Sequence, residues 1–350
     1  MAIGPIGLPR PGLPERAAEI AAFLAAHGWR VEELRPLAGD ASFRSYRRLV
    51  RGTSRAVLMD APPAHEDVRP FVRMAEHLRR LGFSAPVVYA ADVAAGLLLL
   101  EDLGDDTFTR LLAGGSDERA LYALAVDVLI ALHALPPAQA IPAGLPDYDL
   151  DRLLKEALLF VDWYLPAVNG HAAAADERTG YIEAWQEVLP TVLAQARTLV
   201  LRDYHVDNLL HLQGRQGLTA CGLLDFQDAV AGAAAYDLMS LLEDARRDIA
   251  EDLSAEMLAR YHERARPPNT QGFARAYAIL AAQRHAKVIG IFTRLSRRDG
   301  KHGYLVHIPR VWGLLDRALA NAALAPVAAW FGRHVPADAR GKAPLGLAAQ

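Results

Sequence analysis

The chain has 350 residues, of which 52% are hydrophobic and 23% charged, and its net charge is −3. It is long enough for one large domain or two lobes and too apolar for a disordered protein. The near-neutral charge gives no indication of a nucleic-acid or membrane partner, and the single Cys221 excludes a disulfide framework. No run approaches the ~18 to 20 apolar residues of a membrane span. We expect a cytoplasmic monomer.

The first hundred residues predict a small antiparallel sheet. Proline and glycine punctuate residues 1–16, which indicates an N-terminal arm, and a helix is expected over residues 15–27. Short apolar runs between turn residues then predict strands, and one segment has the apolar spacing of a helix. The predicted order is strand, strand, strand, helix, strand, strand, over residues 31–37, 43–50, 56–59, 66–81, 86–90 and 96–100.

The composition becomes polar at residues 101–104, which we interpret as a hinge. Beyond it, residues 105–334 predict a mainly helical lobe, with helices over residues 118–135, 151–164, 181–199, 236–262, 272–296 and from 311 onward. One hairpin interrupts the helices, and residues 335–350 are expected to form a loose tail. The fold class predicted is α+β, with a small antiparallel β lobe that carries one helix and a larger, mainly helical lobe.

Two acidic segments in the hairpin region follow apolar runs. In the first, Asp203 and Asn208 have the D-x4-N spacing of the protein-kinase catalytic loop. In such a loop the aspartate accepts a hydrogen bond from the attacking hydroxyl and the asparagine binds a metal. Asp225 lies on the far arm of the hairpin, where a second ligand for Mg²⁺ is expected. The pattern indicates phosphoryl transfer, which depends on positioning and charge neutralisation.

The same segment allows an alternative interpretation. Asp203, His205 and Asp207 alternate along the chain, so on a strand they would share one face and chelate a metal, as in a metallohydrolase. Against this alternative, the other histidines are scattered and form no H-x-H or H-x3-H pair.

Three segments, LRDYHVDNLL, GLLDFQDA and GAAAYDLMSLL, resemble the aminoglycoside phosphotransferase superfamily of kinase-like small-molecule kinases. The resemblance covers residues 34–318. Within the superfamily, RDYHVDNL together with LLDFQDA looks most similar to the bacterial anomeric kinases for N-acetylmuramate and N-acetylglucosamine, which make sugar α-1-phosphates in peptidoglycan recycling. This resemblance implies a two-lobed protein-kinase-like fold, with ATP and Mg²⁺ as cofactors.

The resemblance also implies roles for individual residues. Asp203 would be the catalytic base, assisted by Asn208; Asn208 and Asp225 would hold magnesium, and Asp237 would be a buried brace. The nucleotide base is expected against the backbone of the hinge, under one aliphatic side chain, through Glu101, Asp102, Leu103 and Leu224.

The chain departs from the family pattern at three points. LRD stands where the family usually has His-Gly-Asp, and Met59 or Asp60 stands where the third strand should carry a phosphate-binding lysine. No lysine precedes Lys155, so Glu76 on the small-lobe helix has no lysine to pair with. We therefore expect phosphate contacts from arginine or backbone N–H groups in the first turn, at Gly39, Ser42 and Arg44.

A basic segment is the candidate acceptor site. Residues 284–310 hold seven Lys and Arg against one acid, Asp299. Binding of polycationic aminoglycosides would call for an acidic wall, so this segment favours a neutral or carboxylate-bearing acceptor. The predicted acceptor contacts come from this segment and from the two acidic segments: Asp203, His205, Gln227, Asp228, Arg284, His285, Lys287 and Tyr304.

The sequence thus predicts an ATP-dependent kinase for a sugar hydroxyl, with the anomeric hydroxyl of N-acetylmuramate or N-acetylglucosamine as the best acceptor. Two alternatives remain: a kinase for another small hydroxyl acceptor, such as an aminoglycoside, choline or homoserine, and a pseudokinase that only binds nucleotide. The missing small-lobe lysine is the reason for the second alternative.

Overall fold

A computed structural model of the chain describes residues 13–37, 44–335 and 339–344. The chain divides into two compact units. The first unit comprises residues 1–113 and 207–228, and the second comprises residues 114–206 and 229–350. The acidic hairpin therefore groups with the N-terminal sheet, whereas the sequence placed it in the helical lobe. The hinge at residues 101–104 stays a prediction.

Within the described residues, the first unit contains a five-stranded antiparallel sheet and three α-helices. Their bounds are α1 (Leu13–Ala26), β1 (Leu34–Pro36), β2 (Ser45–Arg51), β3 (Ser54–Asp60), α2 (Arg69–Arg80), β4 (Val88–Asp92), β5 (Leu97–Leu100) and α3 (Phe108–Ala113). The strand order is β1-β2-β3-β5-β4. Because side chains alternate along a strand, one face of the sheet collects apolar residues that pack with α1. This core includes Ile20, Phe23, Leu24, Leu49, Ala56, Leu58, Leu97 and Leu99.

A short hairpin completes the first unit. It consists of β7 (Leu209–His211) and β8 (Cys221–Leu223). The N–H of Leu223 donates to the carbonyl of Ser84 at 2.9 Å, and the ring of Phe226 packs against Phe71 of α2 with centroids 5.1 Å apart. Asp225 lies between these two anchor points in the chain, so its backbone is fixed relative to the sheet.

The second unit is mainly helical. Its helices are α4 (Glu118–His133), α5 (Pro137–Ala140), α6 (Leu150–Ala157), α7 (Leu165–Asn169), α8 (Ala175–Val188), α9 (Pro190–Leu193), α10 (Ala235–Leu242), α11 (Glu251–Ala265), α12 (Thr270–Asp299), α13 (Ile308–Leu319) and α14 (Ala325–His334). Two strands, β6 (Arg197–Val200) and β9 (Val230–Ala233), pair antiparallel. No helix within the described ranges is long and apolar enough to cross a membrane. The predicted α+β class is confirmed.

Several segment predictions were wrong in detail. The helix expected over residues 181–199 ends at Val188, because Pro190 begins the new helix α9 and the last residues form β6. The strand expected over residues 31–37 is a 3₁₀ turn followed by the three residues of β1. The sequence missed β9, whose residues Val-Ala-Gly-Ala lack an alternating pattern; a distant partner, β6, determines that strand.

The chain ends also differ from expectation. Helix α1 begins at Leu13, and the rest of the predicted arm, residues 1–12, lies outside the described residues. Of the expected loose tail, residues 339–344 are described, and the Tyr164 hydroxyl donates to the carbonyls of Ala339 and Lys342 at 3.1 and 3.0 Å. This part of the tail therefore packs on the second unit.

A buried carboxylate holds the loop that follows β6. Asp237 of α10 is fully buried and accepts hydrogen bonds from the N–H groups of Leu201 at 2.6 Å and Arg202 at 2.9 Å. Arg202 has a φ of 72°, a left-handed conformation that costs a non-glycine residue on the order of 1–3 kcal/mol. Burial raises the pKa of Asp237 to about 7, although the two backbone donors and Arg284 lower it.

We expect Asp237→Asn to reduce the free energy of unfolding by about 1–3 kcal/mol, because its amide group would face one backbone N–H and leave that donor unsatisfied. Urea denaturation measures the loss. Ser240→Ala is the matched control, since it removes only a 3.5 Å hydrogen bond from the same helix to the Arg202 carbonyl. Equal losses in the two variants would contradict the bracing role.

The raised pKa of Asp237 adds a pH signature. An ordinary aspartate has a pKa of about 4, so between about pH 4 and pH 7 the folded state binds more protons than the unfolded chain, and the stability that Asp237 contributes falls as pH rises. Asp237→Asn removes this titration. The stability difference between wild type and variant should therefore shrink from about pH 5 to about pH 7. A constant difference would contradict the raised pKa.

Candidate active site

The first unit contains a polar cluster around Asp225. One carboxylate oxygen of Asp225 accepts a hydrogen bond from the Gln227 amide at 2.7 Å and lies 3.6 Å from the guanidinium of Arg44. The other oxygen lies 3.4 Å from the side-chain nitrogen of Asn208. Asp225 has a φ of 57°, so this position also has a left-handed backbone. We call Arg44, Asn208, Asp225 and Gln227 the Asp225 cluster.

The Asp225 cluster contains oxygen atoms of the kind that magnesium prefers as ligands. The Leu224 N–H donates to the Asn208 carbonyl at 3.0 Å, which ties the two acidic segments together and places their side chains next to each other. The carboxylate of Asp225 is 29% exposed and therefore open to a ligand. One carboxylate and one carboxamide oxygen are hard ligands that suit Mg²⁺, which completes its coordination with phosphate oxygens and water. The two predicted metal ligands thus lie side by side.

Arg44 supplies positive charge beside these ligands. Its side chain is 11% exposed. Burial alone would lower the pKa of its guanidinium, but Tyr46, Asp225 and two further acids raise that pKa by more. The net pKa is above the usual value, and Arg44 therefore remains charged. Arg47, on β2, pairs instead with Asp60 at 3.5 Å. Gly39 and Ser42, the other predicted phosphate contacts, lie outside the described residues.

The strand position expected to carry a lysine is occupied differently. Met59 is fully buried in β3. Asp60 accepts hydrogen bonds from the guanidinium of Arg16 on α1, at 2.6 and 3.0 Å. Glu76 is an exposed residue of α2. Arg44, which immediately precedes β2, is a cation that lies beside the candidate metal ligand Asp225.

The acidic side chains of the predicted hinge are bound inside the first unit. Arg215 and the Val87 N–H hydrogen-bond to the carboxylate of Glu101. The Arg48 guanidinium lies 2.7 Å from the carboxylate of Asp102, which also accepts from the Gly104 N–H. These contacts give the acids a structural role. Recognition of a nucleotide base by the backbone of the hinge, including Leu103, and by the half-buried Leu224 stays a prediction.

The second unit contains the loop that carries Asp203. The Asp203 side chain is 37% exposed, and one of its oxygens lies 3.8 Å from the guanidinium of Arg284. Burial raises the pKa of Asp203, but the charges of Arg284, Lys287 and Arg202 together lower it below its usual value. Asp203 is therefore ionised at neutral pH and open to a substrate hydroxyl.

An internal charge network lies behind Asp203. The carboxylate of Glu156 on α6 accepts hydrogen bonds from Arg202 and the Tyr148 hydroxyl and lies 3.0 Å from Lys287. We call Tyr148, Glu156, Arg202 and Lys287 the Glu156 cluster. All four are largely buried. Lys287, a predicted acceptor contact, thus has a partner within the unit.

Arg284 is likewise buried and internally bonded. Its guanidinium donates to the carbonyl of Arg202 and to the hydroxyl of Tyr236, each at 3.1 Å. The predicted basic acceptor surface is therefore partly an interior network, because two of its cations point into the unit.

The remaining predicted acceptor contacts lie in different environments. His205 is buried, and burial lowers its pKa, so the ring is neutral at physiological pH. His285 is buried with its Nε2 2.7 Å from the carboxylate of Glu243. Tyr304 packs its ring against Phe292 at 5.4 Å. In the first unit, Gln227 contacts Asp225, and Asp228 is exposed.

Sequence reasoning missed Glu156, Tyr148 and Tyr236. Glu156 is 46 residues from its partner Arg202, and nothing in the helical pattern of α6 distinguishes it from a surface acid. Among the described residues, no three His, Cys, Asp or Glu side chains are arranged to hold a metal ion. Asp203, His205 and Asp207 thus lack the arrangement that the metallohydrolase interpretation requires.

Comparisons with known proteins agree with the kinase interpretation. Residues 33–279 match the model of a phosphotransferase enzyme family. The chain is 40% identical to the N-acetylmuramate/N-acetylglucosamine kinase of Caulobacter vibrioides, over 93% of this chain and 98% of that protein. It is 38% identical to the protein of the same name in Pseudomonas aeruginosa, over 85% of this chain and 87% of that protein.

Solved structures share the fold at low identity. The choline kinase LicA of Streptococcus pneumoniae aligns with a TM-score of 0.58 and 13% identity, over 88% of this chain and 98% of that one. The GDP complex of aminoglycoside 2′-phosphotransferase-IIIa aligns with a TM-score of 0.59 and 17% identity, over 87% and 98%. The predicted family resemblance is confirmed, and the chain belongs to the phosphotransferase enzyme family.

Proposed function

We propose that this phosphotransferase transfers the γ-phosphoryl group of ATP to the anomeric hydroxyl of N-acetylmuramate or N-acetylglucosamine, in the cytoplasm. The observation that carries the proposal is the similarity over most of the chain, at 34–40% identity, to four kinases named for these two sugars. The ionised, partly exposed Asp203 supports it, because a sugar hydroxyl needs a nearby base to lose its proton.

In the proposed reaction the carboxylate of Asp203 orients the acceptor hydroxyl and takes its proton. The acceptor oxygen attacks the γ-phosphorus and forms the new P–O bond. The bond from the γ-phosphorus to the β,γ-bridging oxygen breaks, and ADP leaves with the electron pair. An anomeric hydroxyl is more acidic than an ordinary alcohol, so a carboxylate is an adequate base. Asp237 supports this step by holding the loop backbone.

Asn208 and Asp225 would hold Mg²⁺ in this proposal. When bound, the ion neutralises charge on the phosphates of the nucleotide. Arg44 replaces the family lysine, because its buried guanidinium stays charged beside Asp225 and can bind phosphate oxygens through two N–H groups at once. Backbone groups of the hinge would bind the base.

The internal partners of Arg284 and Lys287 bear on the acceptor. Asp203 pairs with the charge of Arg284 and Glu156 pairs with that of Lys287, so these two residues do not require a carboxylate on the sugar. This arrangement supports acceptance of N-acetylglucosamine as well as N-acetylmuramate, which differ by a lactyl carboxylate.

A panel of acceptors tests the function. With Mg-ATP, we expect ADP release with N-acetylmuramate and N-acetylglucosamine, and ³¹P NMR should show the phosphate on the anomeric carbon. The methyl glycoside of N-acetylglucosamine is the matched control, since its anomeric oxygen has no proton. Phosphorylation of the glycoside, or turnover only with kanamycin, choline or homoserine, would overturn the proposed acceptor. Nucleotide binding without any turnover would favour a pseudokinase.

Variants of the acidic residues separate catalysis from nucleotide binding. Asp203→Asn should lower kcat by at least ~10²-fold, because it removes the general base, and should leave ATP affinity unchanged. Asp225→Ala should instead abolish Mg-dependent ATP binding, measured by calorimetry. Near-normal turnover in Asp203→Asn, or tight Mg-ATP binding in Asp225→Ala, would contradict the assigned roles.

Arg44→Met tests the replacement for the missing lysine. Loss of a charge-assisted phosphate contact is worth about 1.5–3 kcal/mol, so KM for ATP should rise roughly 10- to 100-fold. Arg47→Met is the matched control, because Arg47 belongs to the same segment but pairs with Asp60. We expect that control to keep the wild-type KM. A similar rise in both variants would show that Arg44 has no specific role.

A further inference from the structure

Arg284 is buried next to the candidate base, and neither the metal ligands nor the acceptor requires it there. It lies in the middle of α12, the 30-residue helix of the second unit, and its side chain is 7% exposed. A buried arginine is costly unless its charge and N–H groups are satisfied. Its partners are the Arg202 carbonyl, the Tyr236 hydroxyl and, at 3.8 Å, a carboxylate oxygen of Asp203.

We propose that Arg284 is a positioning residue that aims Asp203 and weakens it as a base, so that the site acts on hydroxyl groups more acidic than an ordinary alcohol, such as the hemiacetal hydroxyl of a free sugar. The inference rests on the proposed function, which makes Asp203 the catalytic base. It deepens that proposal by naming the property of the acceptor that the site selects.

The geometry explains how Arg284 can position Asp203. The guanidinium is a rigid planar group, and its bonds to Arg202 and Tyr236 fix its plane. The ring of Tyr236 also lies under it, at 5.5 Å from the centre of the ring. At 3.8 Å the contact with Asp203 is an ion pair longer than a hydrogen bond. Arg284 therefore orients the carboxylate by electrostatic attraction from a fixed position.

The other basic groups near Asp203 either pair with another carboxylate or are neutral. Asp203 is faced by Arg202 and His205 from its own loop, by Arg284 and Lys287 from α12, and by Asp237 from α10. Lys287 and Arg202 share the carboxylate of Glu156. His205 is neutral, because burial lowers its pKa. Arg284 instead forms an ion pair with Asp203 itself, so its charge acts on the base.

The chemical consequence concerns the acceptor. A nearby positive charge stabilises the carboxylate and makes it a weaker proton acceptor. Proton removal by a weak base becomes efficient only when the acidity of the hydroxyl is closer to that of the base. A hemiacetal hydroxyl satisfies this condition better than the other hydroxyls of the same sugar. The placement of Arg284 thus favours the anomeric position by chemistry, in addition to any selection by shape.

Arg284→Met provides the test, with the pH profile of kcat as the main measurement. Removing a charge within ~4 Å should raise the pKa of Asp203, so the acidic limb of the profile should move upward by about one pH unit. Because the carboxylate is no longer held, kcat for N-acetylglucosamine should also fall at least about tenfold, with the KM for ATP unchanged. Arg294→Met is the matched control: it removes a cation from the same helix and should keep the wild-type profile.

Arg284→Lys separates charge from positioning. Lysine keeps the positive charge but loses the planar group, so the acidic limb should stay within about 0.3 pH unit of wild type while kcat remains reduced. A profile for Arg284→Met that superimposes on wild type would overturn the inference, as would an equal shift in Arg284→Lys. If Arg284→Met fails to fold, Tyr236→Phe removes one of the bonds that fix the guanidinium, and an unchanged kcat and profile in that variant would count against the inference.

A second measurement does not depend on turnover. Titration of the Asp203 carboxyl by ¹³C NMR, assigned by its loss in Asp203→Asn, reports its pKa directly in wild type and in Arg284→Met. An equal pKa in the two proteins would overturn the role of Arg284, whatever the acceptor. If the pKa differs but no sugar is phosphorylated by wild type, the proposed function fails while the contact between Arg284 and Asp203 stands.

Discussion

The arrangement of the candidate catalytic loop depends on one buried carboxylate. Asp237 accepts hydrogen bonds from the backbone N–H groups of Leu201 and of the left-handed Arg202, and these bonds determine where the neighbouring groups of the loop point. The Arg202 side chain turns toward Glu156, its carbonyl accepts from Arg284, and the next residue, Asp203, is left partly exposed. A strained backbone persists only where its surroundings over-determine it, and here α6, α10 and α12 each contribute a partner.

The interior of the second unit is unusually rich in charge near this loop. Buried ion pairs contribute little net stability, because desolvation offsets most of the Coulomb attraction. What such a network does provide is fixed geometry, since Glu156, Tyr148 and Tyr236 allow few alternative pairings for Arg202, Arg284 and Lys287. Asp203 thus faces an environment whose charges are set before any ligand arrives, which is the preorganisation that electrostatic catalysis requires.

The sequence predicted local features better than long-range ones. The D-x4-N spacing and the second aspartate could be recognised because each lies next to a strand, and Asn208 and Asp225 lie side by side in the structure as expected. The basic composition of residues 284–310 was read as an open surface, although Arg284 and Lys287 point inward. Helical periodicity cannot distinguish a buried cation from an exposed one. The carboxylate that pairs with Lys287 belongs to Glu156, over a hundred residues away in the chain, so the local pattern does not reveal the pair. The sequence missed β9 for a similar reason, because its pairing partner β6 is not adjacent to it in the chain.

The pairing of Asp60 with Arg16 has a consequence for the role of the first helix. Asp60 ends β3, at the place where the family lysine was expected, and its carboxylate is 14% exposed. Arg16 binds it from α1, a segment outside the matched family region, while Arg47 lies farther away at 3.5 Å. A chain shortened past Arg16 would leave a nearly buried carboxylate facing its remaining arginine, and Arg47 would be drawn toward it. Arg16 of the first helix is therefore a counter-ion for Asp60 of the five-stranded sheet, and trimming the helix would alter the charge pattern of that sheet.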